Sequence, residues 1–391
     1  MVSVIMYFQV HQPYRIRKYQ VFDIGHDHNY FDEHKNRAIM HKVAQKCYLP
    51  ANATILAQLK DVPEFRVAYS FSNIVLEQME EYYPEVLQSF QGLTDTGQVE
   101  ILEETAAHSL AFLYSKQEFR EQVKLHRDKV FSLFGQKPSV FRNTELVYNN
   151  ELAAHIGDMG YKGILAEGAD HVLGWKSPNF VYHPKDRPEM GLLLKNYRLS
   201  DDIAFRFSNK SWEGHPLTAP KFAAWVNQVN GNGNVVNLFM DYETFGEHQW
   251  KDTGIFDFLG HMPREILKHS DNNFLTPSQA IEKYPRVGEL DIHHYVSWAD
   301  TERDLSAWLG NKMQQHALHE AYSLEQTIKT KGDPLLLRDW RRLLTSDHYY
   351  YMCVKWFNDM DVHKYFNPYD SPYDAYINFM NSIKDIKERL A

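Results

Sequence analysis

Asp241 stands where an apolar segment ends and a group of ionisable residues begins. Residues 235–240 are almost entirely apolar, and Glu243, Glu247 and His248 follow Asp241 closely. An apolar run that stops at a polar cluster is typical of a buried parallel strand whose carboxyl end opens into a loop. Because crowding of like charges raises the pKa of at least one of them, Asp241 is predicted to act as a catalytic acid or base.

Other polar and ionisable side chains follow the remaining predicted strands. They are His11 and Gln12, Glu103 and Glu104, Glu145, and Glu167. In a parallel β/α barrel the carboxyl ends of the strands meet at one face, so these side chains are expected to converge with Asp241. Several carboxylates and a histidine without a basic cluster suit hydrolysis of a glycosidic bond. In that reaction one carboxyl group donates a proton and a second, ionised one attacks or stabilises the sugar.

Short apolar runs alternate with amphipathic helices through most of the chain. Strands are predicted at residues 2–8, 65–71, 97–104, 138–142, 162–166, 192–199, 235–240 and 273–276. Helices are predicted at residues 36–48, 51–61, 74–91, 115–134, 149–159, 220–230 and 255–269. This alternation indicates a parallel sheet with helices outside, here a barrel of seven or eight units. A doubly wound open sheet is the alternative, but no strand is followed by the glycine-rich turn of a dinucleotide-binding fold.

Two regions lack this alternation. Residues 14–34 are polar and aromatic without periodicity, which predicts a long loop over a site. Residues 302–329, 333–358 and 372–390 have helical patterns with no strand between them. We therefore expect a catalytic β/α barrel over residues 1–290 and a C-terminal helical domain over residues 291–391, packed on the barrel and completing the substrate cleft.

The composition argues against nucleic acid and membranes as partners. The net charge of −9 argues against nucleic acid, and no apolar run is long enough to cross a membrane. Cys47 and Cys353, the two cysteines, have neither the spacing of a metal site nor that of a disulfide framework. The apolar N-terminus has no basic segment and no cleavage site, so it is predicted to be a strand of a cytoplasmic protein.

His26, Asp27 and His28 raise the question of a metal. Two histidines two positions apart can both ligate a metal only from an extended segment, and no third ligand is identifiable nearby. No motif of a zinc protease, a serine hydrolase or a P-loop occurs in the chain. The sequence therefore predicts neither a metal nor a cofactor.

Short motifs in the right order resemble the conserved regions of glycoside hydrolase family 57. His11-Gln12-Pro13 is similar to the first region, and Gly97 to Leu102 followed by His108 is similar to the second. Both motifs lie at the ends of strands that were assigned independently. Residues 298–311 are the candidate for the fifth region, and they are the loosest match.

The third and fourth regions carry the catalytic carboxylates of that family. Glu145 matches the nucleophile of the third region, although Asn143 and Thr144 precede it where small or apolar residues often stand. Asp241 matches the acid/base of the fourth region, with Glu243 and Gly246 at the same spacing. The resemblance spans residues 1–315, and this spacing singles out Asp241 among its acidic neighbours.

The resemblance implies a (β/α)7 barrel followed by a helical bundle, a retaining mechanism and no required metal. It implies that Glu145 attacks the anomeric carbon while Asp241 protonates the leaving oxygen. Arg206 is expected to steady the nucleophile, and the tryptophans either stack on sugar or pack in the core. The residues expected to bind substrate are His11, Gln12, Glu100, His108, Arg206, Glu243, Trp250, Trp298 and Trp308.

The expected activity is hydrolysis of α-1,4-glucosidic bonds in α-glucans and maltooligosaccharides, as in α-amylases. A 4-α-glucanotransferase uses the same two carboxylates and is the first alternative. A metal-dependent carbohydrate deacetylase, with His26, Asp27 and His28 as ligands, is the second. A non-catalytic α-glucan-binding protein is the third, and the sequence does not indicate the oligomeric state.

Overall fold

Seven parallel strands form the centre of the molecule. The structure, a computed structural model, describes residues 1–355 and 367–391. The strands are β1 Val2–Val10, β2 Val67–Phe71, β3 Val99–Ile101, β4 Val140–Arg142, β5 Gly163–Glu167, β6 Gly191–Lys195 and β7 Val235–Asp241. Every pairing among them is parallel, in the orders β3-β2-β1-β7 and β4-β5-β6.

Two seams close these strands into a ring. At the first seam the Glu103 amide donates to Val140 O at 3.0 Å and the Arg142 amide donates to Glu103 O at 2.8 Å, which joins β3 to β4. At the second seam the Asn196 amide donates to Asn237 O at 2.9 Å, and Asn237 Nδ2 donates to Leu194 O at 2.8 Å. The predicted (β/α)7 barrel is therefore confirmed.

The strands are apolar throughout because both of their faces are covered. All nine residues of β1 are buried. Ile5 and Tyr7 belong to a cluster inside the barrel, whereas Val4, Met6 and Phe8 belong to the larger cluster under the outer helices. Successive side chains of a strand point to opposite faces, so a strand inside a barrel buries every residue.

Helices surround the barrel and follow most of the strands. Their bounds are Glu33–Val43, Leu49–Asp61, Asn73–Tyr82, Pro84–Thr94, Ala111–Tyr114, Lys116–Phe134, Asn150–Asp158, Asp170–Leu173, Tyr197–Ala204, Ala219–Asn227, Ile255–Leu267 and Pro277–Lys283. The helix predicted at residues 74–91 is divided in two, since Pro84 begins the second helix and a residue before proline avoids helical geometry. The helices predicted at residues 36–48 and 51–61 are joined by a π-helical turn, Ala44–Tyr48.

Two predicted strands are wrong in extent or place. The strand predicted at residues 192–199 ends at Lys195, because the Asn196 side chain accepts a hydrogen bond from the Leu199 amide at 3.1 Å and caps a helix. The strand predicted at residues 273–276 is Asn272–Phe274, which pairs with the first residues of β1 and lies outside the ring. A further pair of short strands, His183–Pro184 and Glu289–Leu290, also lies outside it.

Helices occupy the rest of the described chain. They are Ser306–Leu309, Lys312–Ser323, Glu325–Lys331, Pro334–Leu343, Ser346–Tyr350 and Pro372–Leu390. The helix predicted at residues 302–329 is interrupted at Asn311, whose side chain caps the next helix. Residues 356–358 of the helix predicted at 333–358 lie outside the described residues, and the domain division at residue 290 stays a prediction. No helix in the described ranges is long and apolar enough to span a membrane.

The loop predicted to cover a site instead contacts the C-terminal helix. The Tyr19 amide donates to Asn378 Oδ1 at 2.8 Å, and His28 Nδ1 lies 2.8 Å from Asp385 Oδ2. Residues 14–34 therefore pack against the last helix, and none of them lines the cleft described below.

Candidate active site

A cleft of about 620 Å³ opens at the carboxyl ends of the strands. Glu145 and Asp241 line it from the barrel. Its other walls come from the loop that carries Trp298 and from the helical part of the chain, which contributes Trp308, Ser346, Asp347 and Tyr350. The strand-end argument thus brings both predicted catalytic carboxylates to one cavity.

Both carboxylate oxygens of Glu145 accept hydrogen bonds from neighbouring side chains. His108 Nε2 lies 3.0 Å from Oε1, and Trp298 Nε1 donates to Oε2 at 2.7 Å. The backbone of Glu145 has φ of +57°, in the left-handed region that non-glycine residues seldom adopt. Strained backbone of this kind persists at functional sites when the surroundings fix it, which agrees with a role for Glu145.

His108 bridges the buried carboxylate of Glu104 and the cleft carboxylate of Glu145. Its Nδ1 lies 2.9 Å from Glu104 Oε2, and its Nε2 faces Glu145. Burial alone would lower the pKa of His108, but its hydrogen bonds to Glu104 and Glu145 raise it to about 9. The ring is therefore an imidazolium that donates to both carboxylates, and it lowers the pKa of Glu104 to about 2 despite burial.

The same cation keeps Glu145 ionised. Burial would raise the pKa of Glu145, but the hydrogen bond and charge of His108 and the charge of Arg142 hold it below its ordinary value. The hydrogen bond from Trp298 acts in the same direction. Glu145 is therefore a negatively charged carboxylate at neutral and mildly acidic pH, as a nucleophile requires.

Asp241 has the opposite environment. It is the last residue of β7 and lines the cleft. Burial and then the negative charge of Glu145 raise its pKa to about 6. Asp241 can therefore carry a proton under conditions in which Glu145 is ionised, which separates the two roles.

His11 stacks on His108 but is neutral. The ring centroids are 4.0 Å apart, with 20° between the planes. Nε2 lies 3.0 Å from Oδ2 of Asp347, an ionised carboxylate that can only accept, so Nε2 carries the proton and donates. Nδ1 of the neutral ring then accepts a hydrogen bond from the Ser72 hydroxyl, whose oxygen lies 2.6 Å away. Burial and the charge of His108 lower the pKa of His11, which agrees with this tautomer.

Gln12 and Glu243 lie beneath the cleft wall. Glu243 Oε1 accepts hydrogen bonds from the Tyr48 hydroxyl and, at 3.3 Å, from Gln12 Nε2. Gln12 Oε1 accepts from Arg15 Nη2 at 2.8 Å. Both residues are buried and absent from the cleft lining, so the structure does not place either of them where a sugar would bind.

The predicted role of Glu100 is corrected. Its Oε2 accepts from the Ser278 amide at 3.0 Å and from the Ser278 hydroxyl at 2.9 Å, at the start of the helix Pro277–Lys283. Glu100 does not line the cleft. The glutamate that contacts the active-site histidine is Glu104.

The remaining predicted contacts divide between the cleft and the surface. Arg206 lines the cleft, but its Nε donates to Asp202 Oδ1 at 2.6 Å. The arginine whose charge lowers the pKa of Glu145 is instead Arg142. Trp250 is 55% exposed and lies under Lys46 outside the cleft lining, so its predicted stacking role is corrected. Trp308 lines the cleft but is almost fully buried.

Three residues of the site have no role in the prediction from sequence. Glu104 stood at a predicted strand end, and Arg142 stood inside the motif around Glu145, so both carried a positional signal. Asp347 carried none, because it reaches His11 from a helix far along the chain. The helical part therefore contributes directly to the geometry of the site.

The candidate metal ligands are engaged elsewhere. His28 contacts Asp385, and Asp27 Oδ2 accepts from Arg17 Nη2 at 2.7 Å. Residues 1–355 and 367–391 contain no group of three or more His, Cys, Asp or Glu side chains arranged to hold a metal ion. The structure thus gives no support to a deacetylase site at His26, Asp27 and His28.

A closed parallel barrel whose mouth holds one carboxylate of lowered pKa and one of raised pKa fits a β/α-barrel enzyme that uses a carboxylate pair. Residues 5–293 match the family model described as glycosyl hydrolase family 57. The chain belongs to this family and is a glycoside hydrolase.

Relatives with assigned activities act on glucans in more than one way. A Methanocaldococcus jannaschii protein that carries the provisional name alpha-amylase is 43% identical over 404 residues, which cover 98% of this chain and 85% of that protein. The crystal structure of a 4-alpha-glucanotransferase from Thermococcus litoralis has a TM-score of 0.67 at 16% identity, covering 89% of this chain and 56% of that one. A family 57 branching enzyme from Thermococcus kodakaraensis has a TM-score of 0.66 at 15% identity, covering 90% and 86%. At these identities the two structures show a shared fold alone.

Proposed function

We propose that this enzyme hydrolyses α-1,4-glucosidic bonds in α-glucans and maltooligosaccharides with retention of anomeric configuration. One observation carries the proposal: Glu145 is held ionised by cationic and N–H donors, while Asp241, beside it in the same cleft, has a raised pKa of about 6. A retaining glycosidase needs this pair, one carboxylate that attacks and one carboxylic acid that donates a proton.

The proposed reaction has two steps. A Glu145 oxygen attacks the anomeric carbon, the bond from that carbon to the glycosidic oxygen breaks, and the proton of Asp241 passes to the departing oxygen. Water then attacks the same carbon while Asp241 takes its proton, and the Glu145 carboxylate leaves. Two successive inversions at one carbon give net retention, and Asp241 returns to its protonated form.

The walls of the cleft suit a chain of sugars. Phe205 lies on the wall and is 53% exposed, so an aromatic face is available there for stacking, in place of Trp250. Tyr350 and Asp347 reach the cleft from the helical part. We propose that residues 291–391 complete the cleft in this way and that α-glucan lies between the two parts of the chain.

Glu145→Gln and Asp241→Asn test the assignment. Each variant should lower turnover of maltopentaose by at least about 1,000-fold, because each removes a group that forms or breaks a bond. Glu100→Gln is the matched control: it also neutralises a partly buried carboxylate, but one outside the cleft, and should keep most of the activity. Near wild-type turnover in either catalytic variant, with the fold intact by circular dichroism, would contradict the proposal.

Product analysis separates hydrolysis from transfer. Proton NMR of the first product should show the α-anomer before mutarotation. Maltotriose should yield only shorter sugars, whereas oligomers longer than maltotriose would identify transglycosylation as the main activity.

A further inference from the structure

A buried guanidinium lies beside the nucleophile without a hydrogen bond of its own. Arg142, at the end of β4, is fully buried, and none of its three guanidinium nitrogens has a hydrogen-bond partner among the described residues. The guanidinium carbon instead lies 4.9 Å from the ring centroid of Trp298. Arginine is seldom buried without an acceptor, because desolvating its charge is costly. The position of Arg142 therefore calls for an explanation other than packing.

Trp298 contacts the nucleophile at two points. Its indole N–H donates to Glu145 Oε2 at 2.7 Å, and its backbone amide donates to Glu145 O at 3.2 Å. A second buried cation, Lys195 Nζ, lies 5.4 Å from the same ring centroid. Cations over an aromatic face are attracted by its negative electrostatic potential, so Arg142 and Lys195 help to fix the indole.

An ion cluster holds the loop that carries Trp298. Arg303 donates through Nη1 to Trp298 O, and its guanidinium lies 3.4 Å from both Glu167 Oε2 and Asp201 Oδ2. Lys195 Nζ lies 3.1 Å from Asp201 Oδ1 and 3.7 Å from Glu167 Oε2. Because Glu167 and Lys195 end strands β5 and β6, the barrel itself sets the height and direction of the indole.

We propose that Arg142 and Trp298 act as a positioning pair for the nucleophile. The indole fixes one oxygen of Glu145. The guanidinium, stacked on the indole instead of paired with an acid, supplies an uncompensated positive charge to both catalytic carboxylates. Trp298 is then not a stacking surface for sugar. The inference rests on the proposed function, since it concerns how that same site works.

The charges around Arg142 set the expected pH effect. The ionisable side chains that face it or the catalytic pair come from five parts of the barrel. They are Tyr7 on β1, Glu104 and His108 after β3, Glu145 after β4, Lys195 on β6, and Asp241 and Glu243 on and after β7. Arg142 lowers the pKa of both Glu145 and Asp241. Removing its charge should therefore raise both.

Arg142→Met and Arg142→Lys are the decisive variants. Methionine has a similar length and no charge, and replacing a buried ion with an apolar residue is often tolerated. In Arg142→Met both limbs of the pH profile of kcat/KM should move to higher pH by roughly one unit. In Arg142→Lys the profile should stay close to that of the wild type. Equal losses in the two variants with no shift of either limb would mean that Arg142 only fills space, and would overturn its part of the proposal.

Trp298→Phe tests the indole and covers the case in which Arg142→Met does not fold. The acid limb, which reports Glu145, should move to higher pH, and the alkaline limb should not, because the indole N–H contacts Glu145 alone. An unchanged acid limb would overturn the positioning role of Trp298. Arg341→Met, in an ion cluster with Glu118 outside the cleft, is the control and should leave the profile unchanged. The Glu145→Gln result decides the proposed function separately, so failure of one is distinguishable from failure of the other.

Discussion

Two glutamates that interact with the charge of Asp241 have opposite charge states. Glu145 receives its hydrogen bonds from the cationic ring of His108 and from an indole, and its pKa is lowered. Glu243 receives its hydrogen bonds from the Tyr48 hydroxyl and the Gln12 amide, and burial together with the charge of Asp241 raises its pKa to about 8. Glu243 is almost fully buried, whereas the Glu145 side chain is 23% exposed at the cleft, and desolvation acts to raise the pKa of both. The difference lies in the charge of the surrounding donors, so burial alone does not decide which carboxylate is ionised.

The pKa of Asp241 depends on opposing contributions from burial and from the charged groups around it. Burial and Glu145 raise its pKa, while Arg142, Lys195 and His108 lower it. The value of about 6 is high enough for a proton donor and low enough for a general base in the second step. The comparison therefore predicts that the cations on the nucleophile side control activity, and that the neutral cluster behind Asp241 controls stability.

His108→Gln should lower turnover more than His11→Gln, Asp347→Asn or Glu243→Gln. It removes the cation shared by Glu104 and Glu145, so turnover of maltopentaose should fall on the order of 100-fold, as when one preorganised donor is lost. The pKa of Glu145 should rise, which moves the acid limb of the pH profile to higher pH. Steady-state kinetics between pH 4 and pH 8 would measure both.

His11→Gln is the matched control for that variant. The two rings are stacked, but His11 is neutral, so its loss removes no charge. KM should rise while the acid limb stays in place. If both variants moved the acid limb equally, the charge of His108 would not be what distinguishes the nucleophile side.

The reaction centre was predictable where periodicity fixes a strand end. Asp241 ends β7 and Glu145 follows β4, and alternating apolar and helical patterns located both. The same logic placed Glu104 at the end of the third predicted strand, although β3 is only three residues long and is followed by irregular chain. Motif spacing instead selected Glu100, which lies within that strand and caps a helix, whereas the irregular segment carries Glu104 to His108.

Contacts between distant segments could not be predicted from local patterns. Asp347 lies in a short helix, and its partner His11 is more than 300 positions earlier in the chain. Arg142 lies inside the motif around Glu145, but a lone arginine at a strand end is ordinarily expected to form an ion pair. Its unpaired state depends on where Glu104, Trp298 and Asp241 lie around it, which only the closed barrel determines.

Asp347→Asn should have an intermediate effect. The variant loses the charge that orients His11, so kcat/KM should fall roughly 10-fold, with most of the change in KM. Asp347 has a pKa well below its ordinary value, because its hydrogen bond with His11 and the positive charge of His108 outweigh burial. A lowered carboxyl pKa stabilises the fold above the ordinary pKa, and this stabilisation is lost as pH falls. Urea unfolding should therefore show a deficit of about 1–2 kcal/mol at pH 7 and a smaller one at pH 3; a deficit independent of pH would exclude the charge as its cause.

Glu243→Gln should have the smallest effect on turnover and the clearest effect on stability. Glu243 is protonated in the folded enzyme up to about pH 8, whereas its ordinary pKa is 4.5. The wild type therefore loses stability as pH rises from about 4.5 to 8, because the unfolded chain releases that proton first. Glutamine resembles the neutral acid and does not titrate, so the variant should match the wild type near pH 5 and exceed it by at least about 1 kcal/mol at pH 9. Glu145→Gln should behave in the opposite way. Because Glu145 has a lowered pKa, the wild type gains stability as pH rises, and the variant should become less stable relative to it. If the two variants showed the same sign of pH dependence, the charge of the donors would not be what separates the two glutamates.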